Sequence, residues 1–387
     1  MSSITIPLPA PSQVLPQHPP VFKSALFPDV TKSLGIVPIV RLNRIDPQCN
    51  LHDLYLKLES CNPGGSIKEK NAAFLIQYAE HHGILKPGGV IIESSSGNFG
   101  IGLAMIGATK GYRVMIVIDA KTPPIMRKML MAYGAELVEV PLSAADAQGS
   151  MQVARMQKAQ LLADRIPNSW YVCQHKNPIN SKAHWLFTAR EIEAAFSEMP
   201  TGAPDTIVVG ISTAGQISGI SKFFRSHYPN TRIIGVDVAG STIFGTPRHA
   251  YKMTGLGLSF IPPNFTPDLI DVAYSITDRL AFSVCHALAS QEGLLLGAST
   301  GAIVAAALAD ARSQSQLNSR PQTMLLLNPD RGDRYMETVY DPQWLAEQEI
   351  SILKGTDLMQ SIDTLQPVPL TTIHAHFTPT SAPNHSA

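Results

Sequence analysis

The sequence has no surplus of either charge: 30 Lys and Arg stand against 30 Asp and Glu, so no bulk field favours nucleic acid or an anionic membrane as a partner. Cysteine is scarce. Its four residues, at 49, 61, 173 and 285, contain no C-x-x-C pair, which argues against a zinc cluster or a disulfide framework and fits reduced thiols inside a cell. No apolar run reaches the roughly 18 to 20 residues that a membrane span needs. The opening MSSITIPLPAPSQVLPQHPP has neither a basic start nor an apolar core, so it does not resemble a secretory signal. These absences leave a soluble, cytoplasmic protein acting on a small molecule, with no metal, nucleic acid or membrane as partner.

What is present is enough apolar sequence, 44% of 387 residues with 16% charged, for two packed domains. Short β-branched runs alternate with helical segments. Val90–Glu93, Tyr112–Ile118 and Leu137–Val140 read as strands separated by helices at Phe99–Lys110 and Pro124–Tyr133, the rhythm of a parallel sheet covered by helices. The rhythm returns with strands at Thr206–Ser212, Arg232–Val238 and Thr323–Asn328, and helices at about Ala281–Gln291 and Gly301–Arg312. The expectation is an α/β chain of two domains. A smaller one spans 50–175, a larger one spans 31–49 with 176–346, and mobile tails span 1–30 and 347–387, where Pro, Ser, Thr and His replace periodic apolar residues.

Four segments carry candidate chemistry. In Asn62-Pro-Gly-Gly-Ser-Ile-Lys-Glu-Lys70 a turn feeds a capping-box pattern that should start a helix at Ser66 and put Lys68 in its first turn. There the helix dipole and partial burial disfavour the ammonium form, which suits a nucleophilic amine; a solvated lysine on a helix end reads equally well from this segment alone. Glu93-Ser-Ser-Ser-Gly-Asn-Phe-Gly100 joins a strand to a helix, so its backbone N–H groups can meet an anion, or it is a plain turn. Its Gly97-x-x-Gly-x-Gly102 spacing departs from the dinucleotide fingerprint. Gly210-Ile-Ser-Thr-Ala-Gly-Gln-Ile-Ser-Gly219 is a second anion cradle of the same kind, and Gly297-Ala-Ser-Thr-Gly-Ala302 offers hydroxyls that could meet a ring nitrogen or cap a helix.

Together these segments resemble, in the same order, the fold-type II pyridoxal-phosphate family that includes cysteine synthase and cystathionine β-synthase. The likeness runs from Leu34-Gly-Ile-Val-Pro-Ile-Val-Arg41 to Asp330-Arg-Gly-Asp-Arg-Tyr335. It implies two domains, each with a mostly parallel sheet flanked by helices, around pyridoxal 5'-phosphate in the cleft between them, in a homodimer. It also implies roles. Lys68 would carry the cofactor and act as general base, Asn98 would bond the ring's 3-oxygen, and Ser299 would meet the ring nitrogen. Ser95, Ser96, Gly97 and Phe99 with Gln174 would hold the substrate carboxylate, and Ser212, Thr213, Ala214, Gly215 and Gln216 the phosphate.

Departures from cysteine synthases narrow the branch. The usual Gly-Thr-Gly-Gly-Thr phosphate loop reads Ser212-Thr-Ala-Gly-Gln216 here, and Gly240-Ser-Thr-Ile-Phe-Gly245 and Pro329–Tyr335 look more like the siderophore-pathway enzymes that make N-(2-amino-2-carboxyethyl)-glutamate and the related aspergillomarasmine synthase. That resemblance implies β-replacement through an aminoacrylate, with the amine of aspartate or glutamate attacking in place of sulfide, in aminopolycarboxylate synthesis. O-phosphoserine and O-acetylserine are both open as donors. A dicarboxylic substrate calls for added polar groups, for which Ser212, His175, Arg331 and Arg334 are candidates, with Lys176 and Arg127 as possible aids to a phosphate leaving group. His175 could bind a carboxylate, accept the amine's proton, or simply pack. The rival reading is a cysteine synthase using O-acetylserine and sulfide. A silent fold kept for binding and a nicotinamide enzyme are two further alternatives.

Overall fold

A computed structural model describes residues 26–35, 37–46, 52–147, 149–314 and 321–377. Two sheets organise them. The larger runs β1-β2-β10-β7-β8-β9, made from Ile39–Arg41 (β1), His52–Leu58 (β2), Thr206–Gly210 (β7), Arg232–Val238 (β8), Val272–Ile276 (β9) and Gln322–Asn328 (β10). The smaller runs β5-β4-β3-β6, from Val90–Ser94 (β3), Arg113–Asp119 (β4), Glu136–Val140 (β5) and Ser169–Tyr171 (β6). Only β1 on β2 is antiparallel. β3 is buried along its whole length and β4 along all but its first residue, as a parallel sheet covered on both faces requires of unbroken apolar runs.

The helix α1 (Lys68–His81) starts two residues later than the capping pattern predicts. Ser66 bridges to Asp330 and the Ile67 N–H donates to the Pro329 carbonyl at 2.9 Å, so the backbone before Lys68 is committed to the end of β10. Half of the capping box survives. The Glu69 carboxylate accepts from the Ser66 and Gly64 N–H groups, both at 2.8 Å, and locks the turn that delivers Lys68. Against α1 lies α2 (Asn98–Lys110), buried on nearly all sides. A β-carbon at Gly102 would come within 3.1 Å of the Lys68 carbonyl, so a glycine there lets the two helices meet beside the lysine.

Two expected boundaries need correction. The smaller domain does not begin at 50: β2 pairs along its full length with β10 in the larger sheet, from His52 opposite Gln322 to Leu58 opposite Asn328. Its buried Leu54, Leu56 and Leu58 belong to the larger core, which decides its side. Nor is 347–387 a tail as a whole. Helix Gly355–Asp363 buries Leu358 and Ile362, helix Leu370–Phe377 buries Ile373, and Val368 N–H bonds the Ala273 carbonyl beside β9. Apolar residues at helical spacing hold this stretch although Pro and Thr interrupt it. Residues 378–387, and 1–25 of the expected N-terminal tail, lie outside the described residues. Among the described residues no helix is long and apolar enough to cross a membrane.

Candidate active site

β3, β4 and β7 end at Ser94, Asp119 and Gly210, and the segments that follow line a cavity of about 830 Å³ between the two sheets. Ligands of open parallel sheets bind at such carboxyl ends. The cavity wall includes Lys68, Ser95, Ser96, Gly97, Asn98, Phe99, Gln174, His175, Ser212 and Thr213, so residues scattered over 146 positions of sequence meet in one space.

Lys68 reaches this cavity, and among the described residues no hydrogen bond or ion pair holds its Nζ. Loss of water pushes its ammonium pKa down to about 8, with the Asp330 carboxylate pulling the other way. About a tenth of the amine is therefore uncharged at pH 7, far more than in a free lysine, as carbonyl capture requires.

Between β3 and α2, the Ser95 Oγ accepts from Gly100 N–H at 3.0 Å and so caps the helix rather than pointing its hydroxyl freely into the cavity. Gly97 is the helix N-cap, and the first-turn N–H groups from Asn98 onward face an anion-ready end. The Asn98 amide donates to Asp330 Oδ2 at 2.7 Å and accepts from Arg334. Beneath the loop, Glu93 accepts from the Gln174 and Ser94 N–H groups at 3.2 and 2.9 Å. Burial pushes Glu93 up to about 8 against those donors, so it is mostly a neutral acid at pH 7.

The second cradle opens α7 (Gly215–His227). Ala214, its N-cap, sits in the left-handed region at φ 61°, where the likeness expects glycine. Asn180 organises the cradle from the side. Its Nδ2 donates to the Gln174 carbonyl at 2.8 Å and to Thr213 Oγ1 at 3.3 Å, while its Oδ1 accepts from Asn71 at 2.8 Å. Ala214, Gly215 and Gln216 stand behind the cavity wall, and the buried Gln216 Nε2 and Ser218 Oγ find no protein partner. Ser299, at the start of helix α9 (Ala298–Gln314), also lies behind the wall: a β-carbon on the lining residue Gly255 would be 3.6 Å from its Oγ.

His175 packs edge-on against Phe260, with ring centroids 5.5 Å apart, and its Nδ1 is buried without a partner. Burial first, then the Arg155 and Lys68 charges, depress its pKa to about 3, so the ring is a neutral donor or acceptor and not a carboxylate-binding cation. Of the proposed cations, none reaches the cavity. Arg331 donates to the Ser60 carbonyl at 3.3 and 3.2 Å, Arg334 is buried on Asn98 and the Gly64 carbonyl, Arg127 is paired with Glu139, and Lys176 is exposed elsewhere. The cations that do line it are Arg155, on helix α4 (Gln152–Arg165), and at the rim Lys121, Arg248 and Lys252. Sequence pattern gave no sign of them, since one arginine on a polar helix looks like a solvated charge.

Residues 30–330 match the family described as pyridoxal-phosphate dependent enzyme. The chain belongs to this pyridoxal-phosphate family. N-(2-amino-2-carboxyethyl)-L-glutamate synthase of Cupriavidus metallidurans is 36% identical over 317 residues, covering 82% of this chain and 91% of that protein. Among solved structures, O-ureido-L-serine synthase superposes with a TM-score of 0.72 at 32% identity, covering 83% of this chain and 99% of that one. O-acetylserine-dependent cystathionine β-synthase of Helicobacter pylori superposes with a TM-score of 0.73 at 30% identity, covering 81% and 99%.

Pyridoxal phosphate, the cofactor of this family, matches the donors present. An unpartnered amine at Lys68 suits its aldehyde, and the unpartnered Gln216 Nε2 and Ser218 Oγ at the start of α7 suit a phosphate. Ser299 offers a neutral hydroxyl rather than a carboxylate for a ring nitrogen.

Proposed function

We propose that this enzyme performs β-replacement on an O-activated L-serine, O-phosphoserine or O-acetylserine, and joins the amine of aspartate or glutamate to its β-carbon. Bound pyridoxal phosphate supplies the electron sink for the charge left when the α-proton departs. Lys68 would anchor the cofactor, and its Nζ, whose ammonium form burial disfavours, would take that proton. The Ser95–Phe99 turn and Gln174 hold the substrate α-carboxylate at the positive end of α2. Ser212 to Gln216 would hold the cofactor phosphate, Ser299 would meet the ring nitrogen, and Asn98 would bond the ring's 3-oxygen.

The observation that carries this reading is the polar lining of the cavity. Besides the Ser95–Phe99 turn it includes a buried arginine, a neutral imidazole at His175 and the Ser212 hydroxyl, groups suited to a second amino acid. Sulfide, a single atom, would need none of them. The likeness to a serine-derived glutamate conjugate synthase supports the same choice. The reading extends to a cytoplasmic homodimer that serves aminopolycarboxylate synthesis.

Purified enzyme offered each serine ester with aspartate, glutamate or sulfide, and followed by mass spectrometry, tests it. The expected product is a secondary amine carrying one serine-derived unit on the acidic amino acid. Turnover with sulfide alone would identify a cysteine synthase instead.

A further inference from the structure

The proposed reaction leaves one buried charge without work. Arg155 is 7% exposed and lines the cavity, yet its Nε and Nη1 have no hydrogen-bond acceptor. Its one charged neighbour in reach is Asp119, with Oδ2 3.1 Å from Nη1 but not aligned for a hydrogen bond. Glu93, the other carboxyl close by, is held mostly neutral by burial. A guanidinium kept only for structure would have its donors satisfied, because unpaired buried donors are costly.

We propose that Arg155 is the specificity residue for the second substrate and binds its side-chain carboxylate. This rests on the β-replacement reading above. The anions of the first half of the reaction have other seats: the α-carboxylate at the start of α2 and the cofactor phosphate at the start of α7. Arg155 lies on α4, where it lines the cavity beside Asp119 at the end of β4. An amine attacking the β-carbon must come from an amino acid lying alongside the first within this cavity, and Arg155 is its buried lining arginine with unused donors. The rigid fork of a guanidinium matches a carboxylate in two-point contact. Charge balance agrees. The lining carries more cations than carboxylates, with Lys68, Lys121, Arg155, Arg248 and Lys252 against Asp119, so an incoming carboxylate is favoured there.

The test compares charged with uncharged nucleophiles on full-length holoenzyme. In the unmodified enzyme, aspartate or glutamate should outcompete asparagine or glutamine. Arg155→Met should raise KM for the acid by at least about tenfold and bring the acid-to-amide preference close to one, since a charge-assisted hydrogen bond is lost. Release of phosphate or acetate from the serine ester without nucleophile should stay within about twofold, and Arg155→Lys should regain part of the preference. An Arg155→Met enzyme that keeps the acid preference would overturn the assignment. So would an equal loss of ester consumption, which would put Arg155 on the leaving group. An unmodified enzyme that accepts only sulfide would defeat the β-replacement reading with acidic amino acids itself, an outcome seen before any variant is made.

Discussion

The side-chain amide of Asn180 fills the space that a β-carbon on Gly215 would occupy. Because Asn180 also bonds Thr213, the Gln174 carbonyl and Asn71, this contact ties the first turn of α7 to the lysine helix and to the substrate side of the cavity. Gly215→Ala must push one of these apart, at a cost of about 1 to 3 kcal/mol for an overpacked site. We expect a folded protein whose affinity for pyridoxal phosphate falls at least about tenfold, measured by titrating the cofactor-free protein and following its visible absorbance.

Lys68 sets the pH dependence of cofactor capture. Its pKa is lowered to about 8, so the ammonium form dominates below that value and the reactive amine above it. Capture of pyridoxal phosphate by the cofactor-free protein should accelerate from pH 7 to about 8 and then level off, rather than climb on to the 10.5 of a free lysine. Borohydride reduction followed by peptide mapping should label Lys68, and Lys68→Ala should give no label.

Glu93 makes stability depend on pH with a definite sign. Its folded pKa is raised to about 8 from 4.5, so between these values the folded chain keeps a proton that the unfolded chain has released, and stability falls as pH rises. Glutamine keeps the shape and cannot titrate. Relative to the parent, Glu93→Gln should gain stability as pH climbs from about 4.5 to 8, by up to about 1.4 kcal/mol per pH unit. Urea unfolding at pH 5 and pH 8 reads the difference, and an equal effect at both would refute it.

The last described helix belongs to the core. Ile373 is fully buried in the cluster that holds Phe244, Phe265 and Leu269, so Ile373→Ala should cost about 2 to 5 kcal/mol in chemical denaturation. A change under about 0.5 kcal/mol is what a loose tail would give.

How legible these features were in the sequence follows from how local their causes are. β8 coincides with its expected span, Arg232–Val238, because a short run rich in β-branched residues after the turn at Pro229 and Asn230 needs no distant information. The anion cradles were legible for the same reason: a strand, small residues and a helix follow one another along the chain. The side of the fold taken by β2 was hidden, since it depends on pairing with a strand some 270 residues later. The helix of Ile373 is short, with Thr and His between Leu370, Ile373 and Phe377, so its burial depends on the core that covers it, which the local pattern does not show. Arg155 was invisible because orientation alone separates it from the other charges of its helix.

Since β2 sits in the larger sheet, the strands of the smaller sheet form one continuous excursion that leaves after Leu58 and returns after Tyr171. Its two attachment points therefore lie next to reacting groups: Lys68 follows the outgoing strand by ten residues, and Gln174 and His175 occupy the return crossing. A change in the angle between the two sheets would therefore act at the reacting groups themselves rather than at a distance from them.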